Sequence, residues 1–288
     1  MKLLAASLVV ALCTGGVMAA PLEDSRSISA APLEDSRATS ATPLVIGETF
    51  TIASAILGEQ RRINVYIPRG MAKLPLPVLY MPDGGMDEDF LHVAGLLQVG
   101  ASNGTTRAQL LVGIENTERR RDLTGLTTNP KDRAIAPRVG GSAAFRRFMR
   151  EELMPEIARR YRITGATAIV GESLAGLFVL ETLALAPDMF DIYIAIDPSL
   201  WWNDGALARQ LAAAAFAHSL KTGKTLAIAT SRDAGLVING VDLAARLAQT
   251  PGLRLSVRAW PDEGHATVYH PAALAAFRSV FSPAAAVP

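Results

Sequence analysis

Residues Ala166–Leu185 read ATAIVGESLAGLFVLETLAL. Ala168-Ile169-Val170 is a short apolar run of β type, Gly171-Glu172-Ser173-Leu174-Ala175-Gly176 is a tight turn, and Leu177, Leu180, Glu181 and Leu183 to Leu185 continue at helical spacing. Strand, sharp turn and helix form the setting in which G-x-S-x-G marks a nucleophile elbow. Such a turn strains the serine backbone and brings strand and helix almost into contact two residues to either side, where only small residues fit. Gly171 meets that need; Ala175 stands where a second glycine is usual, with Gly176 just behind it. The same residues also read as an ordinary glycine-rich β-to-α turn with Ser173 as helix N-cap.

Outward from the elbow, apolar strands alternate with helices. Toward the N-terminus, Glu48 to Pro68 alternates around Gly58-Glu59 as an antiparallel hairpin at a sheet edge. PVLYMP (77–82) and QLLVGI (109–114) read as buried strands, and residues 143–161 as an amphipathic helix kinked by Pro155. Toward the C-terminus follow strands at Phe190–Ile196, Thr225–Thr230 and Leu253–Trp260, a helix around Val241–Gln249 and a last helix from Ala272. This order predicts an α/β fold, a mostly parallel sheet with helices on both faces. Chemistry in such sheets sits at the carboxyl ends of the strands, and Ser173, Asp197, Asp233 and His265 each follow a predicted strand.

The chain has 288 residues, half of them hydrophobic, and a formal net charge of +1. A near-neutral balance gives no reason to expect nucleic acid as a partner. Met1 to Ala19 has the form of a secretory signal, with Lys2, an apolar centre from Leu3 to Leu12 and the small-residue pattern Val17-Met18-Ala19. No other apolar run approaches the roughly 20 residues of a membrane span, so no membrane insertion is expected after signal cleavage, and the mature chain is expected to be periplasmic or secreted. Cys13, the only cysteine, falls inside that signal. Without a thiol the mature chain has no disulfide, no Cys-based metal site and no Cys nucleophile. Residues 20–44 carry APLEDSR twice, eleven residues apart, and read as a disordered leader ahead of a domain at 45–284.

A serine hydroxyl needs a base, usually His, oriented by a carboxylate. Of His92, His218, His265 and His270, the first two sit in helix-like segments, whereas His265 directly follows the last strand in Pro261-Asp-Glu-Gly-His265. That is where the chain order Ser, acid, His places the base, with His270 as its competitor. For the acid, Asp233 has the usual position, Asp197 is the second candidate, and a pair without a carboxylate remains open. Backbone donors for an oxyanion are expected from Leu174, next after the nucleophile, and from the loop Asp83-Gly84-Gly85-Met86. The segment from Asn116 to Gly141 has no periodic pattern and reads as a flap; Arg119, Arg120, Arg121, Lys131, Arg133 and Arg138 outnumber Glu118, Asp122 and Asp132 there. Such a surplus either is a solvated loop or draws in an anionic substrate.

Taken together, VLYMPDGG (78–85), LVGIENTERRRDLT (111–124), FRRFMREELMPEIARRY (145–161), IVGESLAGLFVLETL (169–183), IAIDPSLWW (194–202) and DEGHATV (262–268) resemble, in order, the esterase branch of the α/β-hydrolases that includes esterase D and the ferric-siderophore esterases. The resemblance spans about Thr49 to Phe281. It implies an α/β-hydrolase fold, Ser173 as nucleophile, His265 as base, Gly85 as loop oxyanion donor, Asp83 close to substrate, and a pocket lined by Pro198 to Trp202, including Trp201 and Trp202. Arg121 is placed with these as a substrate-binding candidate. Asp197 stands where the family usually has serine, and the acid has no clear counterpart. The expected function is hydrolysis of carboxylic esters, ferric siderophores among them, through an acyl-serine intermediate, with no metal or organic cofactor. The alternatives are an acyltransferase of the same fold and a catalytically silent binding protein.

Overall fold

The structure, a computed structural model, describes residues 41–213, 220 and 223–283. The expected signal, the duplicated part of the leader and His218 lie outside the described residues. From Val45 onward the chain's contacts form one compact unit.

Alternating polar and apolar residues make β1 (Gly47–Ser54) and β2 (Glu59–Tyr66) an antiparallel hairpin turned at Gly58, whose φ of 67° suits glycine. The more continuously apolar runs become β3 (Leu76–Pro82), β4 (Leu110–Ile114), β5 (Ile163–Glu172), β6 (Ile192–Ile196) and β7 (Lys224–Ser231). The ribbon β8 (Val237–Ile238) and β9 (Val241–Asp242) stands apart, and β10 (Leu253–Trp260) closes the main sheet. The main sheet has eight strands in the order β1-β2-β4-β3-β5-β6-β7-β10, antiparallel at β1–β2 and β2–β4 and parallel elsewhere.

Side chains alternate between two cores, as the two-residue period of a strand requires. Val78, Tyr80, Ile169 and Tyr193 face one core, Leu79, Met81, Val170 and Ile194 the other. Helix α1 (Phe90–Ser102) and the closing helix Tyr269–Val280 cover the second face. The first is covered by α4 (Ser142–Phe148), α5 (Met154–Arg160), α6 (Leu174–Leu185) and α7 (Trp202–Ala212), together with the helix Leu243–Ala248. The interruption expected at Pro155 takes a specific form, a π-helical turn at Met149–Leu153 between α4 and α5, with Pro155 in the first turn of α5 where its missing N–H costs no hydrogen bond. Helix α6 is apolar all round, with nine of its twelve residues buried, because it runs through the core behind the elbow.

Two short helices, α2 (Arg119–Asp122) and α3 (Pro130–Arg133), lie within the segment that shows no periodicity in sequence. Asp132 accepts from Asn203 N at 2.7 Å, and the Asn203 side chain accepts from Thr128 N at 3.1 Å. Asn203, Asp204 and Gly205 all have positive φ and break α7 at its start, which turns their polar groups toward this segment.

Candidate active site

Three non-glycine residues with left-handed backbones follow the ends of adjacent parallel strands: Asp83 after β3 (φ 57°), Ser173 after β5 (φ 58°) and Asp197 after β6 (φ 44°). Conformations of this kind persist only where surrounding bonds over-determine them. At Ser173 the N–H donates to Ile196 O at 3.0 Å, and its carbonyl accepts from Leu177 N and Ser199 N at 2.9 and 3.0 Å. The close approach inferred from sequence is real: a Cβ on Gly171 would lie 2.6 Å from the Ala175 carbonyl carbon and 2.7 Å from its Cβ. The methyl of Ala175 fits because Gly171 has none. Ser173 stands at the N-cap position of α6, but its side chain makes no capping hydrogen bond.

Its hydroxyl instead meets His265, with Ser173 Oγ 3.1 Å from His265 Nε2. His265 Nδ1 lies 2.6 Å from Asp197 Oδ2. The Asp197 carboxylate is buried and also accepts from Ser231 N at 2.6 Å and Ser231 Oγ at 2.9 Å. A carboxylate accepts, so Nδ1 carries the proton, and in the neutral imidazole Nε2 presents its lone pair to Ser173. The order of the two acid candidates is therefore reversed. Asp233 touches the backbone of His265, accepting its N–H at 2.9 Å, because the turn after β7 directs Asp233 to the loop rather than to the ring. His270 stacks on His92, ring centroids 5.0 Å apart, away from Ser173.

The cleft around this constellation has a volume of about 400 Å³ and is lined by Arg119, Arg120, Ile135, Leu174, Trp201 and Ala234 among others. Several expected neighbours lie elsewhere. Trp201 is 54% exposed and faces the cleft, whereas Trp202 is buried and donates Nε1 to Gly125 O at 3.0 Å. Arg121 turns from the cleft to Glu59 (2.7 Å) and Asp122 (2.6 Å). Asp83 does not line the cleft; it clamps Arg119 through both carboxylate oxygens at 2.7 and 2.8 Å. Arg138 pairs with Glu118, so much of the loop's cationic surplus is internally matched. Among the described residues Arg120 alone of Arg119, Arg120 and Arg121 pairs with no carboxylate; its Nη1 donates to Ile135 O at 2.9 Å.

The Leu174 N–H opens α6, where first-turn amides lack intrahelical partners and the helix dipole favours negative charge. The Gly85 N–H does not stand free as expected. It donates to Glu88 Oε2 at 2.6 Å, and Asn116, through its backbone N–H and its side chain, fixes the other Glu88 oxygen.

A smaller pocket, about 230 Å³, begins one residue away from both Ser173 and His265 and is lined by Asp89, His92, Glu172, Thr267, Tyr269 and His270. Burial, reinforced by Asp89, Asp197 and Asp83 and opposed by His265, pushes the Glu172 carboxyl up to about 7. Burial and Asp83 push Asp89 up to about 6. Among the described residues no group of three or more His, Cys, Asp or Glu side chains is placed to hold a metal ion. Nothing in the sequence singles out Ser231 or Glu88, and Ser199 is expected only as part of the pocket-lining segment Pro198 to Trp202, not as a partner of the nucleophile.

Strand order, elbow and Ser–His–Asp geometry define an α/β-hydrolase. The family model described as "Putative esterase" matches residues 54–250, and the chain belongs to that family. It is 34% identical over 164 residues to the ferri-bacillibactin esterase BesA of Bacillus subtilis, covering 50% of this chain and 56% of that protein. It is 25% identical over 167 residues to the iron(III) salmochelin esterase of Escherichia coli, covering 56% of this chain and 38% of that protein. The chain thus spans about half or less of the length of these curated relatives. An IroE-like serine hydrolase from Shewanella oneidensis, solved as a crystal structure, superposes with a TM-score of 0.69 at 28% identity over 82% of this chain and 80% of that one.

Proposed function

We propose that this chain is a secreted or periplasmic serine esterase that opens the ester bonds of anionic siderophores. The contact of Ser173 Oγ with His265 Nε2 carries the reading. In the reaction, Ser173 Oγ attacks the ester carbonyl while its proton passes to His265 Nε2. Asp197 holds the ring by its Nδ1–H and stabilises the imidazolium. The oxyanion forms against the Leu174 N–H, and Gly85 joins it where Glu88 yields its amide. His265 then protonates the departing alcohol, leaving the acyl group on Ser173. Water, deprotonated by the same Nε2, attacks the acyl carbonyl; the C–O bond to Ser173 breaks as His265 returns that proton to Oγ, releasing the acid and the free enzyme.

The names of the relatives support siderophores as the substrate class, and the chemistry of the cleft agrees with them. Arg120 offers a cation to an anionic substrate, and Trp201 offers an exposed aromatic face. The Met1–Ala19 pattern supports export. The substrate reading is tested with Arg120→Gln, since Arg119 and Arg121 are occupied by carboxylates. Its kcat/KM on a ferric catecholate ester should fall several-fold while a neutral p-nitrophenyl ester is spared. The gap should narrow as salt shortens the screening length below about 8–10 Å. Equal losses on both substrates would assign Arg120 to the structure of the loop.

A further inference from the structure

We infer that Ser199 is a second hydroxyl that acts directly on the nucleophile, donating its proton to Ser173 Oγ. This rests on the esterase reading above and adds to it a residue outside the Ser–His–Asp set.

Ser199 follows Asp197 and Pro198 at the end of β6, so the strand that delivers the carboxylate also delivers this hydroxyl. Its backbone N–H donates to the Ser173 carbonyl at 3.0 Å, which ties the two residues together. Its Oγ lies 3.3 Å from Ser173 Oγ. Ser199 is only 4% exposed, yet it lines the cleft. Buried hydroxyls take a hydrogen-bond partner, and among the described residues the sole partner of Ser199 Oγ is the nucleophile.

The direction of this bond follows from proton counting. In the neutral imidazole that acts as base, with Nδ1–H engaged by Asp197, Nε2 can only accept, so the single proton of Ser173 points to His265. The lone pairs of Ser173 Oγ remain, and Ser199 must be the donor. As the Ser173 proton moves to His265, negative charge grows on Oγ, and a neutral hydrogen bond becomes a charge-assisted one. The interaction is therefore stronger in the transition state than in the resting enzyme, which places its effect on kcat and not on KM. In deacylation Ser173 Oγ is the leaving atom and regains negative charge, so the same donor serves both half-reactions. Ser199 transfers no proton in either.

The test compares Ser199→Ala with the isosteric pair Ser199→Thr and Ser199→Val, folding being checked by thermal melts. Ser199→Ala should lose about 10- to 100-fold in kcat with KM nearly unchanged, the range for a hydrogen bond to a charged group. Inactivation by a fluorophosphonate should slow by the same factor. Ser199→Thr should stay within a few-fold of wild type and Ser199→Val should match Ser199→Ala, because the pair differs in the hydroxyl and not in shape. Wild-type rates in a folded Ser199→Ala, or equal impairment of Thr and Val, overturn the inference while leaving the esterase reading intact. A wild-type protein inert to the fluorophosphonate overturns that reading first and the inference with it.

Discussion

His265 is held by two carboxylates at two different atoms. Asp197 takes the ring nitrogen, and Asp233 takes the backbone N–H. An amide at Asp233 still accepts from a backbone N–H, so Asp233→Asn should keep kcat within about tenfold of wild type. An amide at Asp197 offers the wrong partner to Nδ1 and favours the wrong tautomer, with losses on the order of 10³- to 10⁴-fold. Steady-state kinetics on the two variants decides this, and the opposite ranking would return the acid to the end of β7. Glu172 gives a second handle at this scale. Its Oε1 is buried without a partner among the described residues, and its folded-state titration near 7 lies above the ordinary value of 4.5. The folded state thus holds a proton that the unfolded chain releases at lower pH, so stability falls as pH rises from about 4.5 to 7. Glu172→Gln removes that dependence. Its Tm should exceed wild type at pH 8 and gain much less at pH 5; an equal shift at both would mean the carboxyl is not desolvated. Ser173 and His265 were legible in sequence because each sits where a strand signature ends. The choice between Asp197 and Asp233 was not, since both follow strands. What separates them is tertiary, the two donors of Ser231 and the left-handed turn at Asp197. Trp201 and Trp202 show the same limit: adjacent in sequence, one faces the cleft and the other the core.

A buried arginine ties β2 to α2 and α4, beside the cleft. Arg61 on β2 is fully buried, 2.5 Å from Asp122 and 3.0 Å from Glu59, with its guanidinium over Phe145 and Phe148 at 5.1 and 5.9 Å. Asp122 and Glu59 also bind Arg121, whose guanidinium holds the Glu59 carboxyl down at about 2. This network fixes α2 against the sheet, and α2 is the element that presents Arg119 and Arg120 to the cleft. Removing one member of a buried ion network leaves the others uncompensated, at a cost of about 3–5 kcal/mol. Arg61→Met should therefore show a loss of that size in urea unfolding, and a loss under about 1 kcal/mol would mean that α2 is held in place by other contacts. The strands were readable from apolar runs, and the hairpin from its alternation around Gly58. Helices α2 and α3 were not, because four-residue helices have no periodicity to detect; the Arg61 side chain from β2, donating to Asp122, and the Asn203 backbone N–H from α7, donating to Asp132, define their place.

On the scale of the whole molecule, the chain gathers its chemistry at one edge of the sheet. The ends of β5, β6 and β7 and the loop after β10 supply Ser173, Asp197, Ser231 and His265. The alternation of strands and helices made that edge predictable, as parallel sheets place their sites there. The charge of the cleft was less predictable, because counting residues in the 116–141 segment does not show which arginines are already paired. The claim on which all of this depends is that Ser173 is an activated nucleophile. Fluorophosphonate labelling followed by peptide mass mapping tests it most directly. One label per chain on Ser173 is predicted, absent in Ser173→Ala and greatly slowed in His265→Ala, with ester hydrolysis falling in parallel by on the order of 10⁴-fold or more. Labelling at another serine, or hydrolysis in Ser173→Ala within about tenfold of wild type, would contradict it.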